Sequence, residues 1–224
     1  LGVCIALLLS IQAVGQNRKP PNLPNYDDKL VHFGFYVAPH YTIYKVRYSR
    51  FFQRNADTIL AARPKGSPGF STGFLVALRI NEDWNLRFLP GVSFYERAVW
   101  YQFKNAPQDR QVIESTFVEL PLNVKYKSER RGNVRMYLTA GVKTGFEVGA
   151  KRKERSDRQL RTNNRDFALE YGFGLELFYP LFKFAPEVRF SHGVNNMLEP
   201  DNNIYANTIS RMYTHTVTFY FNFE

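Results

Sequence analysis

The side chains with the widest chemical reach in these 224 residues are four histidines, His32, His40, His192 and His215. No two of them stand at a spacing that would turn both imidazoles toward one metal ion. His192 follows Ser191, and a serine beside a general base is the beginning of an acyl-transfer site. On an extended strand neighbouring residues point to opposite faces, which parts this serine from its histidine. The one cysteine, Cys4, lies in an apolar run at the start of the sequence and is expected to leave the mature chain without a thiolate or a disulfide. The reading is therefore non-enzymatic, with no catalytic residue, cofactor, metal site or small-molecule substrate expected.

What remains is charge, and it is placed with a period of two. Val118, Leu120, Leu122, Val124 and Tyr126 share one strand face, while Glu119, Asn123 and Lys125 share the other. Val134, Met136, Leu138, Ala140, Val142 and Phe146 oppose Arg135, Thr139, Lys143 and Glu147 in the same way. Leu169, Tyr171, Phe173, Leu175 and Leu177 oppose Glu170 and Glu176, and Phe184, Val188 and Phe190 oppose Glu187, Arg189 and Ser191. A soluble barrel such as a lipocalin would hide the apolar faces and show the charged ones to water. With lipid outside, the charges must go in, so Arg87, Glu119, Lys125, Arg135, Lys143, Glu147, Glu170, Glu176, Glu187 and Arg189 are predicted to form a nearly balanced inward network.

The elements that carry these faces are strands expected near 30–44, 69–80, 84–103, 112–127, 133–148, 166–179, 182–193 and 209–224. Their connections alternate. Tight turns at 81–83, 128–133 and 179–181 alternate with longer loops near 45–68, 104–111, 149–165 and 194–208. The fold class is all-β, a closed eight-stranded antiparallel transmembrane barrel with short periplasmic turns and long extracellular loops. An even strand number puts both barrel termini in the periplasm of a bacterial outer membrane. Pro90, Pro121 and Pro186 fall inside strands and each demands a bulge or a local break in pairing.

Composition agrees. The chain has 20 Phe and 14 Tyr, the residues that form girdles at both interfaces of such a barrel. Residues 1–15 read as a signal peptide cut off at its start, with Ala13 and Gly15 at the cleavage positions, and residues 16–28 as an extended, Pro-rich periplasmic linker. The barrel is expected over 29–224. A net charge of +10 suits outer-membrane lipid and lipopolysaccharide phosphates, nucleic acid being out of reach of an exported chain. Two loops are candidate contacts for a protein partner or lipopolysaccharide: Arg47, Arg50, Phe51, Phe52 and Arg54 in the first, and Lys151, Arg152, Lys153 and Arg155 in the third.

Three stretches carry a resemblance. They are Leu86-Arg-Phe-Leu-Pro-Gly-Val-Ser-Phe94; Phe117-Val-Glu-Leu-Pro-Leu-Asn-Val-Lys-Tyr126 continued by Asn133-Val-Arg-Met-Tyr-Leu-Thr-Ala-Gly141; and Phe182-Lys-Phe-Ala-Pro-Glu-Val-Arg-Phe190 leading to Gly193-Val-Asn-Asn-Met-Leu198. Together they resemble the PorT/SprT family of Bacteroidetes outer-membrane barrels. The resemblance implies an accessory part in type IX secretion, which exports proteins with a C-terminal sorting domain, and in gliding in some species. It implies other secretion-system proteins as partners and no catalytic residues.

Overall fold

Apolar-polar alternation becomes strand wherever each side chain finds the solvent it needs on its own face of the sheet. A computed structural model describes residues 21–54, 59–104, 109–148, 162–199 and 207–224. Its strands are β1 (Val31–Tyr48), β2 (Ile59–Lys65), β3 (Ser67–Arg79), β4 (Trp84–Phe88), β5 (Gly91–Phe103), β6 (Asp109–Lys127), β7 (Val134–Val148), β8 (Arg165–Phe178), β9 (Lys183–Gly193) and β10 (Ile209–Phe223). Gly66 alone parts β2 from β3, and Leu89-Pro90 part β4 from β5, so the ten segments make eight walls.

Every pairing is antiparallel, and β1 pairs with β10 on one side and with β3 on the other. The sheet order β1-β10-β9-β8-β7-β6 continues through β4/β5 and β3 back to β1 and closes the ring. Closure leaves no edge, as hydrocarbon requires of a sheet. In the turn before β7 the chain reverses at Gly132, whose φ of +64° a side chain would resist.

At the loop end β1, β2 with β3, and β6 outrun the expected strands. The stretch 45–68, read as loop, holds the end of β1, the short helix α1 (Arg50–Arg54) and β2. Above the apolar belt the outer face meets water, so Lys45 and Arg47 point out while Val46 points in, and the alternation reverses its sign. For the same reason β6 begins early, at Asp109, while β5 ends at Phe103 as expected.

The prolines interrupt pairing without shifting it. Leu89 N donates to Pro121 O at 3.0 Å, and Pro121 has no N–H to return. The stranded Leu89 carbonyl faces the Tyr36 hydroxyl instead, at 3.4 Å. Pairing of β4 and β5 with β6 passes from Phe88↔Leu122 to Gly91↔Glu119 in unchanged register. At Pro186 the β8–β9 ladder skips from Gly174↔Glu187 to Leu177↔Phe184, again without a slip. These are breaks, not bulges.

The two faces have the polarity expected for lipid. Phe33 and Phe74 are 73% and 71% exposed on the outside, whereas Arg87 and Arg189 are 0% exposed inside. Phe173, on the outer face of β8, tests this directly. Phe173→Arg should cost about 2–4 kcal/mol if it lies near the bilayer midplane, while Phe173→Leu stays close to wild type. Urea unfolding of the barrel in lipid vesicles measures both.

Candidate functional site

The inward faces of eight strands converge on a lumen only wide enough for side chains, and they fill it in layers. At the tight-turn end Glu176 takes Arg135 Nε at 2.6 Å, Lys183 Nζ at 2.9 Å and the Lys125 ammonium. Lys183 also reaches Glu224 at 2.9 Å. The next layer is Glu187, held by Arg87 at 2.7 Å, by Arg189 at 2.6 Å and by the Tyr137 hydroxyl at 2.9 Å. Gly174 makes room for that tyrosine: a Cβ there would lie 2.5 Å from its ring. Arg189 bridges onward to Glu170 at 3.1 Å, which also accepts from Ser191 Oγ. Lys143 then links Glu170 to Glu119 at 3.6 and 3.0 Å, and Ser93 and Tyr95 each donate to Glu119 at 2.7 Å.

Toward the loop end charge gives way to apolar packing. Arg97 is buried with its guanidinium 4.1 Å from the Tyr95 ring centre and 5.2 Å from that of Tyr44. Above it Tyr44, Val99, Tyr101, Phe117, Met197, Ile209 and Met212 form a buried cluster. Met197 belongs to the loop after β9, which folds inward as Met197 N donates to Met212 O and Asn163 N to Met197 O.

At the opposite end the residues read as the end of an extended linker form a floor instead. Tyr26–Asp28 make a single 3-10 turn. The Tyr26 ring stacks on His32 at 4.2 Å and its hydroxyl donates to Glu224 at 2.8 Å. Asp27 takes two hydrogen bonds from Arg135, at 2.9 and 3.2 Å, and Arg130 donates to the Asn22 and Leu23 carbonyls. Burial alone would raise the Asp27 carboxyl, but Arg135, with Lys127 behind it, holds it below the ordinary value. Glu224 is also buried, yet Lys183 and Lys125 bring it down to about 2. Burial and the nearby Glu224 push the Tyr26 phenol up.

The predicted inward set is thus brought together, with one exception. Glu147 has the inward phase but sits half-buried at the loop end of β7, apart from the described ion pairs. Arg97, Lys127 and Lys183 were not anticipated, although their parity with Tyr95, Lys125 and Glu187 marks them as inward. Asp27 and Tyr26 lie outside any strand and have no parity to read. Ser191 and His192 do part, the serine to the lumen and the histidine to the outer wall. Of the first-loop candidates, Arg47 lies exposed directly across from Arg211, Arg50 opens α1, Phe51 is exposed, and Phe52 stacks on Tyr48 at 4.6 Å. The Arg54 side chain and Lys151, Arg152, Lys153 and Arg155 lie outside the described residues.

A family model described as outer membrane protein beta-barrel domain matches residues 14–199. A comparison with curated proteins finds no match. Among solved structures the chain is similar to Neisserial surface protein A, with 16% identity over 84% of this chain and 95% of that one and a TM-score of 0.41. It is also similar to the outer membrane protein OprG from Pseudomonas aeruginosa (10%, 85% and 93%, TM-score 0.46). A third is Ail, the attachment invasion locus protein of Yersinia pestis (12%, 85% and 96%, TM-score 0.37).

Removing the Glu187 charge takes from the buried Arg87 its described carboxylate partner and leaves Arg189 only Glu170 among those described. Glu187→Gln should therefore cost about 3–5 kcal/mol in vesicle unfolding, against less than about 0.5 kcal/mol for the exposed Lys45→Ala. The floor should respond to acid. Carboxyls with lowered values in the folded state contribute fully above their unfolded values and lose that contribution as pH falls through the folded ones. The Tyr26 and Asp27 contacts should hold at pH 5 and above and loosen between 4.5 and about 2. Resonances of the Tyr26 ring in micelles, followed through that range, report the release.

Proposed function

Because this chain belongs to the outer membrane protein beta-barrel domain family, we propose that it is a non-conducting, non-enzymatic barrel of the bacterial outer membrane that works by recognition at its rims. One observation carries this reading: buried side chains fill the described lumen, ion-paired from Glu176 through Glu187 to Glu119 and apolar from there to Met197. A solute passing through would have to break these buried ion pairs and part their charges. Chemistry inside is disfavoured for the same reason, and Ser191 is committed to Glu170.

The more specific role proposed is that of an accessory subunit in type IX secretion, with the tight turns and the floor in the periplasm and the long loops outside. The resemblance to the PorT/SprT family supports it, and the residues that carry the resemblance fall where the lumen is built. Leu86–Phe94 holds Arg87 and Ser93, Phe117–Tyr126 holds Glu119 and Lys125, and Phe182–Phe190 holds Lys183, Glu187 and Arg189. Asn195, Asn196 and Met197, in the segment that follows, shape the inward loop. What the relatives would share is then a rigid, sealed post, and partner choice would rest with its rims.

Two measurements separate the layers of this proposal. Purified barrel in planar bilayers should give no steady single-channel conductance; a stable open channel would overturn the sealed lumen. Deleting the gene in its native host should trap proteins bearing the C-terminal sorting domain inside the cell envelope, with rescue by the intact gene. Normal export would remove the secretion role and leave a surface-interaction barrel.

A further inference from the structure

His192 on β9 and His215 on β10 are directly opposed in register, on the outer wall. Their Nδ1 atoms lie 2.6 Å apart, with the rings set edge to face at 69°. On the far side of His192, Nε2 meets the Tyr171 hydroxyl of β8 at 3.1 Å. If His192 carries its proton on Nε2 and donates to Tyr171, its Nδ1 presents a lone pair to His215. That is the arrangement in which a ligating histidine is oriented by a partner on its other nitrogen. Both imidazoles are half-buried, where the outer face of β1 and β10 passes from apolar residues to Lys45, Arg47 and Arg211.

We propose that this cross-strand pair is a binding site for a divalent transition-metal ion of the imidazole-seeking class, with Cu2+ its tightest occupant and Zn2+ weaker. The ligands are His192 Nδ1 and His215 Nδ1. His215 moves its ring proton from Nδ1 to Nε2, so the neutral pair takes up the ion without net proton release. Metal–nitrogen bonds of about 2.0–2.1 Å need the two nitrogens about 2.9 Å apart at the right angle Cu2+ prefers, and about 3.3 Å apart at the tetrahedral angle of Zn2+. The rings must therefore spread by roughly 0.3 Å for Cu2+ and roughly 0.7 Å for Zn2+, which a small side-chain rotation supplies. Lys45 lies within electrostatic reach of His215, which disfavours hard ions that bind by charge alone and leaves those bound by nitrogen. The described residues hold no cluster of three or more His, Cys, Asp or Glu able to share an ion. The remaining coordination positions go to water or to oxygen atoms of the lipid headgroup layer.

The site stands independently of any secretion role, and its test uses copper alone. Tag-free barrel, refolded in dodecylmaltoside, is titrated with Cu2+ and followed by calorimetry and electron paramagnetic resonance. The expected result is one ion per barrel with coupling to two nitrogens. His192→Asn and His215→Asn each remove the two-nitrogen signature while retaining heat-modifiable migration, since both side chains lie on the outer wall. Tyr171→Phe keeps the signature and weakens binding about tenfold, the effect of losing an orienting partner. Failure of the wild type to bind copper, or an unchanged signature in the double histidine variant, overturns the proposal and leaves the pair sharing a proton only.

Discussion

A peptide group in hydrocarbon has no water to bond, and the rest of this barrel follows from that constraint. It forces the sheet to close, so β1 must meet both β10 and β3. Closure with eight walls fixes a narrow lumen, and the outward faces are already claimed by lipid. Polar and charged side chains therefore have one place to go. The prolines show how tightly the rule binds: where Pro121 cannot return a hydrogen bond, a tyrosine of β1, reaching over Gly73 of the intervening β3, approaches the orphaned carbonyl.

Burying so many ions is costly, and the cost is offset where the central ions are shared. Glu187 serves two arginines and a tyrosine, while Glu176 serves three cations. Arg189 joins two carboxylates, so the layers are linked rather than stacked. Such linkage gives the lumen one arrangement rather than many. Rigidity of this kind suits a protein that presents loops at one end and a folded floor at the other.

Most of the lumen was legible in the chain because strand parity converts residue number into direction. Glu119, Arg135, Glu170 and Arg189 could be assigned inward from their neighbours alone. Legibility failed where the surroundings change along one strand. Past the apolar belt, Lys45 and Arg47 face water on the wall that carries Tyr41 and Ile43 in lipid, and the same period reads as loop. It failed again at Asp27, which sits in a 3-10 turn with no parity. The approach of His192 to His215 was out of reach for a third reason. Their meeting depends on the β9–β10 register, which neither strand's pattern reveals.

The hydrogen bond from Tyr26 to Glu224 joins residues 198 apart in sequence. Those two can meet only when the first and last strands are already side by side, so their contact carries nearly the full entropy of closing the chain into a ring. It belongs to the native side of the folding barrier, after most strand pairing is in place. The latch therefore does little to speed assembly and much to slow opening: a barrel that has closed must release its floor before the β1–β10 seam can part. In kinetic terms the floor residues ahead of the first strand, Asn22 to Asp28, act as a clasp on the seam.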